Sequence, residues 1–369
     1  MKKIIGHLGT ILRSYIAAKA PSVYSSAKPA FDTLVIMVTS RCNARCVMCK
    51  LWREHAGSEL RPETWERVIR EARDTGFTSV HFTGGEPLLY KGVYELASYS
   101  SGIGMTPAFT TNGLLIDERA VDKFIKGGVY SVGVSLDAVG EEYERIRNVP
   151  GGFPHVKNAI ELLGKARKAA KLKPYINFTV MKDTLSTFTG VRDLAGENGL
   201  PIALCLLDRS SSIFDIEENK SVHWIDSSGD KAALVRLMEE IRSAEKERPG
   251  SVILAGSGAG YAVSYFGDPV QKGVPCISSQ KRLYISPEGG VLGGCLSMGS
   301  FGDITSRPLR DILDDKEFLK AERKMFFKEC AGCSCGFSFN VSHHLPYLIK
   351  DALFGWREHI SGCGSENGI

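Results

Sequence analysis

The chain has 369 residues, of which 43% are apolar and 24% charged, with a formal net charge of +4. That length suits one large domain with a smaller one, and the composition is ordinary for a globular protein. The mild charge gives no support to a nucleic-acid partner, which usually meets a far more basic face, and no stretch approaches the roughly 20 apolar residues of a membrane span.

The ten cysteines cluster at 42/46/49 and 330/333/335, with 205, 276, 295 and 363 apart. Short-spaced clusters of this kind read as metal ligands in a reducing compartment, not as a secreted disulfide framework. The N-terminus imitates a secretory signal, but His7, Arg13 and Ser14 interrupt its apolar run and Pro21 would follow the cleavage site. A cytoplasmic location is therefore expected. Ile4, Ile5, Leu8, Ile11, Leu12, Tyr15 and Ile16 recur at helical spacing, with Lys2, Lys3, Arg13 and Lys19 off the stripe. Residues 1–30 are read as an amphipathic helix and linker. The helix docks on the main domain or, as the alternative, touches the inner membrane face or a lipid-like substrate.

Strand and helix patterns then alternate. Strands are expected at Thr33–Val38, Ser79–Phe82, Pro107–Thr110, Tyr130–Leu136, Tyr175–Met181 and Ile202–Leu207. Helices are expected at Pro62–Asp74, Val93–Tyr99, Glu118–Ile125, Pro154–Ala170, Thr187–Glu197 and, after a polar excursion over 208–230, Ala232–Ala244. Six βα repeats imply a parallel sheet wrapped by helices, an incomplete (β/α)6 TIM-like barrel over residues 31–250. Beyond Pro249-Gly250 glycines and the remaining cysteines become frequent, and 251–369 is read as a small cysteine-rich α+β domain. Pro287-Glu288-Gly289-Gly290 reads as a hairpin turn between strands Arg282–Ile285 and Val291–Leu292, with a helical stretch over Leu309–Lys324.

The chemistry centres on Cys42-Asn43-Ala44-Arg45-Cys46-Val47-Met48-Cys49, a C-x3-C-x2-C spacing directly after the first strand. Three thiolates facing one soft metal centre leave a fourth position free, which suits an iron–sulfur cluster with one open iron. A zinc site would need a fourth ligand, for which His55 is the nearest candidate. In a parallel barrel functional groups gather at the C-terminal strand ends. There the second strand is followed by Gly84-Gly85-Glu86-Pro87, the third by Thr111-Asn112-Gly113, and the fourth carries Ser135 and Asp137. Each alone is an ordinary turn or cap; four on one rim are less easily dismissed.

The Cys triplet together with Gly-Gly-Glu-Pro resembles the radical S-adenosylmethionine (radical SAM) superfamily across roughly residues 33–207. Met48 stands where that family commonly has an aromatic residue. The resemblance implies that Cys42, Cys46 and Cys49 hold a [4Fe-4S] cluster whose open iron is chelated by S-adenosylmethionine. Gly84, Gly85 and Glu86 would receive its amino group, Thr111 and Asn112 would lie near it, and Ser135 would contact ribose or carboxylate. Arg145 or Arg147 could pair with the carboxylate. Reductive cleavage would give a 5′-deoxyadenosyl radical that abstracts a substrate hydrogen, with electrons from a separate donor. The later cysteines resemble the SPASM and twitch extensions of the same superfamily. They imply one auxiliary iron–sulfur cluster on Cys276, Cys295, Cys330 and Cys333, with Cys335 as a substitute ligand. A zinc ribbon on the same four residues is the alternative.

Cys363 is read as free and Cys205 as a core residue. His343-His344 are read as surface or capping residues, and Leu345 to Trp356 as an apolar docking stripe. No substrate-specific catalytic residue is assigned. The substrate is expected to be a small molecule or lipid-like compound that is oxidised or rearranged. A peptide or protein substrate is the alternative, and a non-enzymatic iron–sulfur or zinc protein the alternative of another class.

Overall fold

A computed structural model describes residues 29, 31–53, 59–208, 222–253, 255–270, 276–296 and 299–329. The N-terminal stripe, His55, Cys330, Cys333, Cys335, Cys363, His343-His344 and the stripe 345–356 lie outside these residues.

The six expected strands form as β1 (Thr33–Thr39), β2 (Ser79–Gly84), β3 (Thr106–Thr111), β4 (Ser131–Ser135), β5 (Lys173–Val180) and β6 (Ile202–Leu206). Each pairs in parallel with the next. The helices between them are α1 (Pro62–Asp74), α2 (Val93–Gly102), α3 (Glu118–Lys126), α4 (Gly140–Arg147), α5 (Phe153–Ala169) and α6 (Phe188–Glu197). Helix α1 buries Trp65, Val68, Ile69 and Ala72, the stripe its sequence spacing predicts. Helix α4 was not expected. Its sequence is mostly charged, and only Tyr143, Ile146 and Arg147 turn inward.

After α7 (Ser228–Glu247) a two-residue β7 (Val252–Ile253) adds to β6 in parallel, too short to give a pattern in sequence. Helix α8 (Ala255–Gly267) and the single turn α9 (Ser278–Lys281) lead to the expected hairpin, β8 (Arg282–Ile285) and β9 (Val291–Gly293). In its turn Ser286 N–H donates to Gly290 O at 2.9 Å, and Gly289 adopts φ 101°. β8 runs parallel to β1, so the described sheet has the order β7-β6-β5-β4-β3-β2-β1-β8-β9 and does not close. The fold is an α/β incomplete barrel. The helix expected over Leu309–Lys324 is two, α10 (Leu309–Leu313) and α11 (Lys316–Phe326). Between them Asp315 is extended and accepts from Glu317 N–H at 2.9 Å, capping the second helix.

Strand side chains alternate between the two faces. Leu34, Ile36, Val80, Phe82, Phe109, Val132, Val134, Ile176, Phe178 and Leu204 lie in one core cluster with the helices. Val35, Met37 and Tyr284 form a separate cluster on the concave face with Leu51 and Leu296. Because β1 to β6 are parallel, every C-terminal strand end reaches the same rim. No helix among the described residues is long and apolar enough to cross a membrane.

The seam between β1 and β2 shapes that rim. Gly85 N–H donates to Thr39 O at 2.7 Å and Glu86 N–H to Arg41 O at 2.8 Å. A Cβ on Gly85 would stand 2.2 Å from Arg41 O, which is backbone and cannot swing aside. Gly85→Ala should therefore lower stability in urea by about 2 kcal/mol, as overpacking does. Gly102→Ala, where nothing lies within 4 Å, should not. Equal stability of the two variants would show that the seam is not tight.

Candidate metal and cofactor site

The cysteine loop begins where β1 ends. Cys46 is buried, and Cys42 and Cys49 are half-buried. Local turns shape the loop: Cys49 N–H donates to Cys46 O at 3.2 Å, and Ala44 N–H to Cys42 Sγ at 3.4 Å. Burial, and then the neighbouring thiols, push Cys42 up to about 12 and Cys49 up to about 11, against donors such as Ala44 and Leu51. Thiols that raise one another in this way sit close together and need a cationic partner to ionise. That is the chemistry of an iron-bound thiolate set, and the residues fit the group. Among the described residues no three ligand-type side chains converge as they would around a single ion.

Neighbouring strand ends hold the loop. Asn112 Nδ2 donates to Asn43 Oδ1 at 2.7 Å and reaches Cys42 Sγ at 3.8 Å. The last turn of α4 lies against the other side, with Arg45 N–H donating to Arg147 O at 3.1 Å and Val47 N–H to Ile146 O at 3.0 Å. Arg147 pairs with Asp137 at 2.6 Å and points Nη1 at Cys46 Sγ, 3.6 Å away. Burial works against this guanidinium, but Asp137 and Cys46 more than restore its charge. Asp137 also accepts from Thr179 N–H at 2.8 Å and caps no helix. Arg145, the other candidate cation, pairs with Glu142 at 2.7 Å and Asp183 at 3.3 Å.

Glu86 is fully buried. Its Oε1 accepts from Thr111 Oγ1 at 2.7 Å and Leu88 N–H at 3.1 Å, and its Oε2 from Asn112 N–H at 2.8 Å. The structure thus turns this carboxylate inward as a tie between the β2 and β3 ends. Ser135 ends β4 half-buried, in register with Asn177 of β5. Sequence reasoning missed Glu59, which Arg41 grips at 2.7 and 3.1 Å and Thr39 Oγ1 also meets. No motif marks it.

The concave face below the rim is polar on the β2–β6 side. His81 Nε2 bonds Thr110 Oγ1 at 2.8 Å, and Tyr175 lies beside Thr110 and Asn177. Gly133 makes room, since a Cβ there would lie 2.6 Å from Asn177 Nδ2 and 2.7 Å from the Tyr175 ring. Cys205, expected in the core, is exposed on this face and donates to Asn177 Oδ1 at 3.7 Å. The period-two alternation of Ile202, Leu204 and Leu206 puts it opposite the helices. Burial and the charge of Arg282 push His81 down to about 3, so it is neutral.

The second cysteine group is partly described. Cys276 N–H donates to Phe326 O at 2.8 Å, and Gly294 N–H to Glu322 Oε1 at 2.6 Å, so α11 gathers both segments. A Cβ on Gly294 would stand 2.4 Å from Ser279 Cα, which places Cys295 beside the turn that follows Cys276.

The profile of the radical SAM superfamily matches residues 36–188, and that of SPASM, an iron–sulfur cluster-binding domain, matches 276–335. The chain carries a radical SAM domain followed by a SPASM segment. It is 31% identical over 186 residues to an Fe-coproporphyrin III synthase of Methanosarcina barkeri, spanning 50% of this chain but only 46% of that protein. An AdoMet-dependent heme synthase of the same organism is 26% identical over 80% of this chain and 89% of its own length. Streptococcus suis SuiB bound to precursor peptide SuiA shares the fold, with TM-score 0.63 and 20% identity over 83% of this chain and 72% of that one. These two profiles imply a [4Fe-4S] cluster, S-adenosylmethionine and auxiliary iron–sulfur chemistry.

Burial pushes Glu86 up to about 7 from an ordinary 4.5, despite its three donors. The folded chain then keeps the proton longer than the unfolded one, so this group's contribution is full below pH 4.5 and is lost as pH rises toward 7. Glu86→Gln has no such titration. Urea unfolding should show wild type losing stability relative to Glu86→Gln across that range. A constant difference would mean that Glu86 is already ionised in the folded chain.

Proposed function

We propose that this radical SAM enzyme cleaves S-adenosylmethionine reductively and abstracts hydrogen from a polar small molecule held on the concave face. The observation that carries the reading is the Cys42, Cys46 and Cys49 loop, with N–H donors from Asn112 and Arg147 directed at two of its sulfurs. These cysteines are the ligands of the [4Fe-4S] cluster, which when bound to S-adenosylmethionine supplies one-electron reduction and a 5′-deoxyadenosyl radical. Glu86 holds the rim through Thr111 and Asn112. Gly84, Gly85 and Glu86 would meet the cofactor's amino group by backbone, since the Glu86 carboxylate is turned inward. Thr111, Asn112 and Ser135 would line the rest of its site.

His81, Thr110, Tyr175, Asn177 and Cys205 offer hydrogen bonds to a substrate and suit a polar compound better than an acyl chain. Two relatives are named for making heme compounds, so a carboxylated tetrapyrrole is the first compound to test. A peptide is the second, because a homologous fold has been solved with one. An external electron donor completes the system. Cys276, Cys295, Cys330 and Cys333, with Cys335 able to substitute, would close the auxiliary cluster.

The reduced, iron-reconstituted protein should release 5′-deoxyadenosine from S-adenosylmethionine, and Cys46→Ala should reduce this at least a hundredfold, to background. Undiminished product from the variant would sink the assignment. Replacing Cys42, Cys46 and Cys49 together by Ala should leave about four irons per chain on the second site. Zinc there instead would favour a ribbon, and loss of all metal would argue against independent sites.

A further inference from the structure

Arg147 is nine-tenths buried, on the last turn of α4, between the cysteine loop and the end of β4. Both terminal nitrogens are committed, Nη2 to Asp137 at 2.6 Å and Nη1 toward Cys46 Sγ at 3.6 Å. The adjacent carbonyls, Arg147 O and Ile146 O, accept the N–H groups of Arg45 and Val47 on either side of Cys46. The guanidinium is therefore held against one sulfur from two directions, by its counter-ion and by the loop itself. Asp137 is fixed in turn by Thr179 N–H at 2.8 Å and, through its carbonyl, by Thr187 Oγ1 at 2.5 Å. A guanidinium engaged in this way is poorly placed to receive the carboxylate of a bound cofactor.

In a buried setting a charge a few ångströms from a thiolate acts with little screening. An N–H donor or positive charge beside a cluster sulfur draws electron density from it and eases addition of an electron, while a nearby carboxylate does the reverse. We propose that Arg147 is a positioning residue that raises the reduction potential of the S-adenosylmethionine-binding cluster through Cys46, with Asp137 as the opposing charge that limits the effect. The inference rests on the reading that Cys42, Cys46 and Cys49 hold that cluster.

The test uses the full-length, iron-reconstituted protein and follows the reduced-cluster electron paramagnetic resonance signal that S-adenosylmethionine perturbs, titrated against potential. Arg147→Gln should move the midpoint down. Asp137→Asn, which unmasks Arg147, should move it up. Arg147→Lys keeps the charge and should restore a midpoint close to wild type. Because Arg147→Gln leaves a buried carboxylate unpaired and risks misfolding, the double variant Arg147→Gln/Asp137→Asn is measured beside it. Removing both charges together should leave its midpoint between those of the two single variants. A purely structural role would change iron loading or stability without moving the two single variants in opposite directions. Identical midpoints, or shifts of the same sign, would overturn the inference while leaving the ligand assignment in place. Absence of any S-adenosylmethionine-responsive signal in wild type would overturn both.

Discussion

A single buried carboxylate holds the rim together. Glu86 takes one N–H from its own turn, one from Asn112 and the hydroxyl of Thr111, so the ends of β2 and β3 cannot separate without leaving buried polar groups unpaired. Asn112, fixed by that contact, reaches across to Asn43 and Cys42. The seam at Gly85 and Glu86 ties the same turn to the backbone of Thr39 and Arg41. The cysteine loop is thus braced from β2 and β3 before any metal is considered. Glycine is required there because two backbones approach within contact distance, a reason internal to the chain.

The opposite brace is ionic. A buried Arg–Asp pair contributes little net stability, because desolvation offsets its attraction, but removing one member leaves a costly isolated charge. Such a pair is better suited to fixing geometry than to adding stability. Here it joins β4, β5 and α4 to the loop around Cys46. Neutral donors from β3 and a cation from α4 therefore approach different sulfurs, giving the three thiols unequal surroundings.

Below the rim, the concave face changes character around the sheet. Val35, Met37 and Tyr284 form an apolar cluster on its β1–β8 side, beside Arg282, whose charge reaches His81, while His81, Thr110, Tyr175, Asn177 and Cys205 make the β2–β6 side hydrogen-bonding. The absence of a side chain at Gly133 lets Tyr175 and Asn177 lie over the concave face. The hairpin that begins the SPASM segment supplies β8, so that segment also builds part of the barrel wall.

How much of this was legible in the sequence depended on range. Thiol spacing, the Gly-Gly-Glu-Pro turn and period-two strands are local, and they were enough to determine the alternation of βα units, the family and the placement of site candidates on one rim. Helix α4 escaped because a mostly charged segment with three inward residues carries no clear apolar period. The break at Asp315 escaped because its capping bond is a matter of backbone geometry. Which way a polar side chain turns was decided only by tertiary structure. Glu86 faces inward because its donors come from β3, 25 and 26 residues away. Arg147 meets Cys46 across 101 residues, and Cys205 faces the concave side because its register with Thr179 leaves it opposite the helices. A buried polar group must satisfy its partners wherever the fold brings them, and no short-range pattern encodes where that will be.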